Sequence, residues 1–194
     1  EPLVARSGPE LRLPVSEIAF PALRSLSPTQ YRNFRECVQH LVEADSRISL
    51  FEYTLQHMLL RHLEQAFSKQ GAAGRQVRSL EALRPACIDL LSTLAHVGHE
   101  TTSAAQSAFD AAVQELFPGH SLEMGDPSLS AVDRALDNLA AATPKLKRKV
   151  VAACAVCMVS DGKITVGEAE LLRAVADSLA CPIPPMLASS TTLI

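Results

Sequence analysis

The sequence predicts an all-α protein, a compact bundle of about seven to nine helices with an internal pseudo-twofold duplication. Apolar residues recur at spacings of three and four over most of the chain, as in amphipathic helices. No convincing run of alternating β-branched residues appears. One helix–hinge–helix pattern occurs twice, the second copy 116 residues after the first. We therefore expect one body built from two related halves.

Length and composition limit the number of domains and the classes of partner. A chain of 194 residues, 47% hydrophobic, is long enough for one core but short for two independent domains. The net charge of -3, without a Lys/Arg stripe interleaved with aromatic residues, predicts no nucleic-acid partner. The five cysteines are odd in number, and three of them lie in apolar helical runs, a usage that is typical of a reducing compartment. No apolar run of about 18 residues is present, so we expect no membrane span in this sequence.

The chain ends differ in composition from the body between them. Residues 1–14 contain three prolines and a Ser-Gly pair, which predicts a linker or weakly docked arm. A single domain should then span 15–187, opening with a short helix over 16–26 that contains an internal proline. Residues 188–194 lack a helical pattern and are predicted to be a flexible tail.

Repeat A, residues 27–70, begins with a helix-start signal at Ser27-Pro28. The serine hydroxyl can accept from free backbone N–H groups, and proline fits the first turn because its missing N–H would have no partner there. The helix should end near Asp45, and a second, longer helix should begin at Ser49. The apolar face of the first helix is formed by Phe34, Val38, Leu41 and Val42.

Three further helices are predicted in the middle region, residues 78–142. Pro85 lies in the first turn of one that stops at Gly98, residues 102–116 form the second, and the third opens at Ser130.

Repeat B, residues 143–180, follows the pattern of repeat A. Thr143-Pro144 opens a helix that should end near Asp161, and the next helix should begin at Thr165. The apolar face of the first helix is formed by Val150, Cys154, Cys157 and Met158.

The second hinge reads DGKITVGE and matches the second half of an EF-hand calcium loop. The first half of such a loop is missing, because Cys157 and Val159 stand where oxygen ligands would be needed. Thr165 and Glu168 instead have the spacing of a capping box, as do Ser49 and Glu52 in the first hinge. The hinge acids therefore either shape turns and cap helices, or form a weak divalent-cation site assembled from both hinges. The candidate metal ligands are Asp45, Glu52, Asp161 and Glu168.

Four basic residues cluster in the first two turns of repeat B: Lys145, Lys147, Arg148 and Lys149. The macrodipole favours acids at this end of a helix. The cluster is either a solvated face or a contact for anionic lipid headgroups or an acidic partner surface.

No arrangement of residues predicts catalysis in this segment. Cys154 and Cys157 have the spacing of a redox or zinc pair, but their apolar neighbours indicate packing. His99-Glu100 is not followed by the second histidine that a zinc peptidase helix requires. We therefore expect no enzymatic activity and no cofactor of its own, apart from the weak cation just described.

Two resemblances add a context to these patterns. The hinges resemble those of TerB-like tellurite-resistance domains, whose all-helical fold has a duplicated core. The matching residues are Asp45, Ile48 and Glu52 in the first copy, and Asp161, Gly162, Ile164 and Glu168 in the second. A longer stretch, from about Phe20 to Met186, resembles the C-terminal region of bacterial membrane-bound zinc metallopeptidases of the HtpX type. It includes FPALRSLSPTQYRNF, ISLFEYTLQHMLLRHL and the repeat B sequence.

In the metallopeptidase family, the HExxH catalytic domain and the membrane spans precede this region. None of the family's catalytic residues is therefore carried onto this sequence, and zinc would belong to the preceding part of a longer chain. The chain begins at Glu1 rather than at a methionine, and we expect it to be a piece of such a protein.

The resemblance implies a non-catalytic regulatory or protein-interaction domain in the cytoplasm, at the inner face of a bacterial membrane. Its partner would be another protein or the remainder of its parent chain, received in an apolar groove between the repeats or at the acidic hinges. The alternative, from a different class, is a divalent-cation-responsive TerB-like stress-resistance module with the four hinge acids as cation contacts.

Overall fold

A computed structural model describes residues 9–44, 49–67 and 76–184. This part of the chain is an all-α bundle with eight α-helices, so the predicted fold class is confirmed. The helices are α1 (Pro9–Arg24), α2 (Pro28–Ala44), α3 (Leu50–Phe67), α4 (Arg84–Gly98), α5 (Thr102–Leu116), α6 (Leu129–Ala140), α7 (Pro144–Met158) and α8 (Val166–Ser178). Within the described ranges, none of these helices combines the length and apolarity that crossing a membrane requires.

Helix α4 lies at the centre of the main core and packs against α5, α6 and α7. Its consecutive residues from Leu90 to Ala95 are all buried, so buried side chains point in several directions around the helix. A helix that is apolar on most of its circumference needs neighbours on most sides. The pairs α5–α7, α7–α8 and α3–α8 complete the packing around it.

The middle helices begin and end close to the predicted positions. Pro85 lies in the first turn of α4, and α5 begins after Thr101, whose hydroxyl accepts a hydrogen bond from the Ala104 N–H at 3.2 Å. Helix α6 starts one residue earlier than expected, because the Ser128 hydroxyl accepts from the Ala131 N–H at 3.3 Å. These caps bond N–H groups that a helix leaves free at its start.

The N-terminal helix α1 is longer than the predicted helix over 16–26. Residues 9–14, which were assigned to the linker or arm, form its first turns, and Leu13 is buried. Leu13 packs with Phe20 of the same helix and with Met58 of α3 in a small cluster that is separate from the main core. Burial of these side chains offsets the two internal prolines, each of which costs a helix about 3 kcal/mol.

The two copies of the repeat share their helix pattern but differ in burial. In repeat B, Val150 and Cys154 are fully buried because α7 is covered by α4, α5 and α8. The matching residues of repeat A, Phe34 and Val38, are only partly buried, since α2 packs chiefly on α3. The stacked rings of Tyr31 and Phe67 form part of that contact, with centroids 4.4 Å apart.

The two helix-start signals also differ. The Ser27 hydroxyl accepts from the Gln30 N–H at 3.3 Å, as predicted. The Thr143 hydroxyl makes no such bond, which corrects the expectation of equivalent caps. Thr143 instead donates its backbone N–H to the Val77 carbonyl at 3.0 Å, and this ties the start of α7 to the segment before α4.

Candidate functional site

The second hinge is a tight turn followed by a capped helix. Gly162 has a φ of +75°, a backbone conformation that glycine adopts without strain. One Asp161 carboxylate oxygen accepts from the Lys163 N–H at 3.0 Å and closes the turn. The Thr165 hydroxyl accepts from the Glu168 N–H at 3.2 Å, while the Glu168 carboxylate accepts from the Thr165 N–H at 2.7 Å. The predicted capping box at α8 is confirmed.

The first hinge repeats this chemistry at the start of α3. The Ser49 N–H donates to the Glu52 carboxylate at 3.0 Å, and the Glu52 N–H donates to the Ser49 hydroxyl at 3.2 Å. The backbone hydrogen bond from Ser49 is the main reason why the pKa of Glu52 is lowered. Arg12 of α1 adds an ion pair to the same carboxylate at 3.1 Å. Asp45 lies outside the described residues.

The predicted cation site therefore remains a prediction. Among the described residues, no three His, Cys, Asp or Glu side chains are placed so that they could hold one metal ion. Glu52 and Glu168 each use a carboxylate oxygen in a capping box, and Asp161 closes its own turn.

The structure also has a shallow groove, between α5 and α7 beside the second hinge. The sequence predicts an apolar groove between the two repeats, whereas this groove lies between a helix of the middle region and a helix of repeat B. The small residues Ala104, Ser107 and Ala111 line one side, and Val156 and Val159 line the other. Its hinge end is formed by His99, Ser160 and Asp161, with the His99 ring bonded to the Ser160 hydroxyl at 2.8 Å and to the Ala95 carbonyl at 3.0 Å.

The cysteine pair of α7 belongs to the core. Cys154 and Cys157 are fully buried, and the Cys157 thiol lies 3.8 Å from the Leu91 carbonyl oxygen. Burial raises the pKa of Cys157 to about 12 and that of Cys154 well above its ordinary value. Thiols held in the protonated form are poor nucleophiles and poor metal ligands, so the packing interpretation of this pair is supported.

The basic cluster lies at the start of α7, as the sequence indicated. Lys145, Arg148 and Lys149 are exposed, whereas Lys147 is half-buried. Burial lowers the pKa of Lys147, and the positive charge of Arg61 on α3 lowers it further. We use the name basic face for the four basic residues of α7 together with the arginine of α3: Lys145, Lys147, Arg148, Lys149 and Arg61. Within the described part of the chain, none of the five forms an ion pair with an acid.

Arg61 was missed in the sequence because it lies far from the cluster along the chain and has no motif around it. Two histidine–carboxylate contacts were missed for the same reason. The His57 ring lies 2.8 Å from the Asp133 carboxylate of α6, and the His62 ring lies 2.5 Å from the Asp177 carboxylate of α8. These contacts hold α3 against the main core.

Comparison of the chain with protein-family models, with curated proteins and with solved structures gives no match. The TerB-like and metallopeptidase resemblances therefore remain predictions.

Proposed function

We propose that this chain is a non-catalytic protein-interaction domain that binds an acidic segment of its partner through the basic face. The observation that carries the proposal is that Lys145, Arg148 and Lys149 are exposed on α7, that Lys147 lies near Arg61, and that none of the five has a described acidic partner, in a chain whose net charge is -3. Like charges brought together in this way repel one another, so an anionic partner gains from neutralising them.

The position of the cluster on α7 strengthens this argument. Positive side chains at a helix N-terminus oppose the macrodipole, so the arrangement does not serve the stability of α7. The first N–H groups of a helix lack helical partners, and the Thr143 hydroxyl does not bond to them. A partner carboxylate can accept from these N–H groups and interact with the lysine side chains at the same time.

The resemblance to the C-terminal region of membrane zinc metallopeptidases supports a setting for this interaction. In that setting the domain lies in the cytoplasm near the inner face of a bacterial membrane, and the acidic segment belongs to another protein or to the remainder of the parent chain. Any zinc would be held by the preceding catalytic domain.

The proposal is tested by fluorescence anisotropy with a labelled poly-glutamate peptide at low salt. The variant Lys145→Glu/Lys149→Glu should bind at least about tenfold more weakly than the unchanged chain, because two attractive charges become repulsive. Lys163→Glu is the control, since it reverses one exposed charge at the second hinge. Binding that is equal in all three proteins would overturn the proposal.

Vesicles that contain phosphatidylglycerol serve as the second probe. Binding to these vesicles without binding to the peptide would reassign the basic face to lipid headgroups and would contradict the choice of a protein partner.

A further inference from the structure

A serine and a histidine are paired at the hinge end of the groove between α5 and α7. The Ser160 hydroxyl lies 2.8 Å from Nε2 of His99, and Nδ1 of the same ring lies 3.0 Å from the Ala95 carbonyl oxygen. A carbonyl oxygen can only accept, so Nδ1 carries a hydrogen. In the neutral ring Nε2 is then an acceptor, and the Ser160 hydroxyl donates to it. This is the arrangement of a nucleophile, a general base and a group that orients the base.

Both members of the pair are held in place by the local backbone. His99 directly follows α4, and its ring bonds to a carbonyl in the last turn of that helix. Ser160 follows the end of α7, in a turn closed by the hydrogen bond from the Gly162 N–H to the Val159 carbonyl at 2.9 Å. The His99 side chain is half-buried, whereas Ser160 is exposed. The base is therefore fixed, and the nucleophile can be reached by a ligand.

The groove beside the pair suits a small molecule without charge. Its volume is about 570 Å³. Ala104 and Ala111 line one side, and Val156 and Val159 line the other, so a short apolar chain can lie between them. Asp161 places a carboxylate at the hinge end, and its negative charge disfavours an anionic ligand there.

The start of α5 lies at the same end of the groove. This helix begins three residues after His99, and Ala104 in its first turn lines the groove. The Ala104 N–H donates to the Thr101 hydroxyl, whereas the N–H groups of Thr102 and Ser103 have no acceptor within the helix. The positive end of the helix dipole favours negative charge that develops on a nearby carbonyl oxygen.

We infer that Ser160 is an acyl-acceptor site and that the groove binds a neutral carboxylic ester with a short apolar acyl chain. The Ser160 oxygen forms a bond to the ester carbonyl carbon, and its proton passes to Nε2 of His99. The bond between that carbon and the alcohol oxygen of the ester then breaks, and the proton passes from His99 to this oxygen. The products are an acylated serine and a free alcohol.

This inference goes beyond the proposed function and does not depend on it. The serine lies after the end of α7, whereas the basic face lies at the start of that helix. Hydrolysis of the acylated serine is not part of the inference, so the chain is modified once without turnover and the non-catalytic role proposed above is unchanged.

The reagent p-nitrophenyl butyrate tests the inference on the whole chain, with the butyryl group located by mass spectrometry. Trypsin cuts after Lys149 and Lys163, and the peptide between them contains Ser160 as its one hydroxyl side chain. Ser160 should be acylated in the unchanged chain. The variant His99→Gln should react at least about a hundredfold more slowly, because the base that takes the proton is gone.

Ser107→Ala is the matched control, because Ser107 lines the same groove but donates its hydroxyl to the Ser103 carbonyl at 3.0 Å. Its removal should leave the rate of Ser160 acylation unchanged. The unchanged chain in urea is a second measurement for the case in which His99→Gln does not fold. Unfolding separates the serine from the histidine, which is 61 positions away in the chain, and should abolish the acylation.

Three results would overturn the inference. The first is an equal rate of Ser160 acylation in the unchanged chain and in folded His99→Gln. The second is acylation of Ser160 that persists in urea. The third is an unchanged chain in which the butyryl group is found on lysines or on Ser107 but not on Ser160, or on no residue.

Discussion

At the scale of residues, the feature common to the two hinges is helix capping. Ser49 with Glu52 and Thr165 with Glu168 make the same pair of reciprocal hydrogen bonds at the starts of α3 and α8. This was predictable from sequence because a capping box depends on residues only three positions apart. Asp161 closing its own turn is likewise a local effect.

Replacing Thr165 with alanine should lower the free energy of unfolding by about 1 kcal/mol, because the Glu168 N–H loses its acceptor. Urea denaturation of the variant and the unchanged chain measures the difference. Thr143→Ala is the control, since the Thr143 hydroxyl makes no cap bond and its removal should cost less. An equal loss in the two variants would contradict this account of the second hinge.

The capping interpretation also predicts how the chain responds to calcium. Because one Glu168 carboxylate oxygen already accepts the Thr165 N–H, calcium at millimolar concentration should leave the thermal midpoint unchanged. Differential scanning calorimetry with and without the ion checks this. A rise in the midpoint that disappears in Asp161→Asn would instead favour the cation-responsive alternative.

At the scale of elements, the duplicated pattern predicts helices correctly but does not predict their burial. Helix α7 is enclosed by three neighbours, while the corresponding helix α2 packs chiefly on α3. The bounds of α4 followed from local signals at Pro85 and Gly98, and those of α5 from its amphipathic pattern. Helix α1 could not be predicted in full, because Pro14 reads locally as a linker residue and its position in a helix depends on packing with α3 and α8.

The same substitution in the two halves should therefore have different effects. Val150→Ala in α7 creates a cavity at a fully buried position and should cost about 2 kcal/mol, whereas Val38→Ala in α2 should cost less than about 1 kcal/mol. Chemical denaturation of the two variants provides the comparison. A larger loss for Val38→Ala would mean that α2 carries more of the stability than its packing indicates.

At the scale of the whole molecule, contacts between distant parts of the chain create the features that bear on function. The basic cluster of α7 was visible in the sequence, but its extension by Arg61 depends on how α3 lies against the core. The histidine–carboxylate contacts that place α3 join residues 76 and 115 positions apart. Such pairs have no local signal, so sequence alone identified the charged cluster without its full extent.

The central claim, that the basic face is where an acidic partner binds, is tested most directly by nuclear magnetic resonance. The isotope-labelled chain is titrated with the poly-glutamate peptide while its backbone amide shifts are followed. We predict that the largest changes fall on residues 145–149 and on Arg61, and that they diminish at high salt because surface charges are then screened. Largest changes at the second hinge around Asp161, or no changes in the first turns of α7, would contradict the claim.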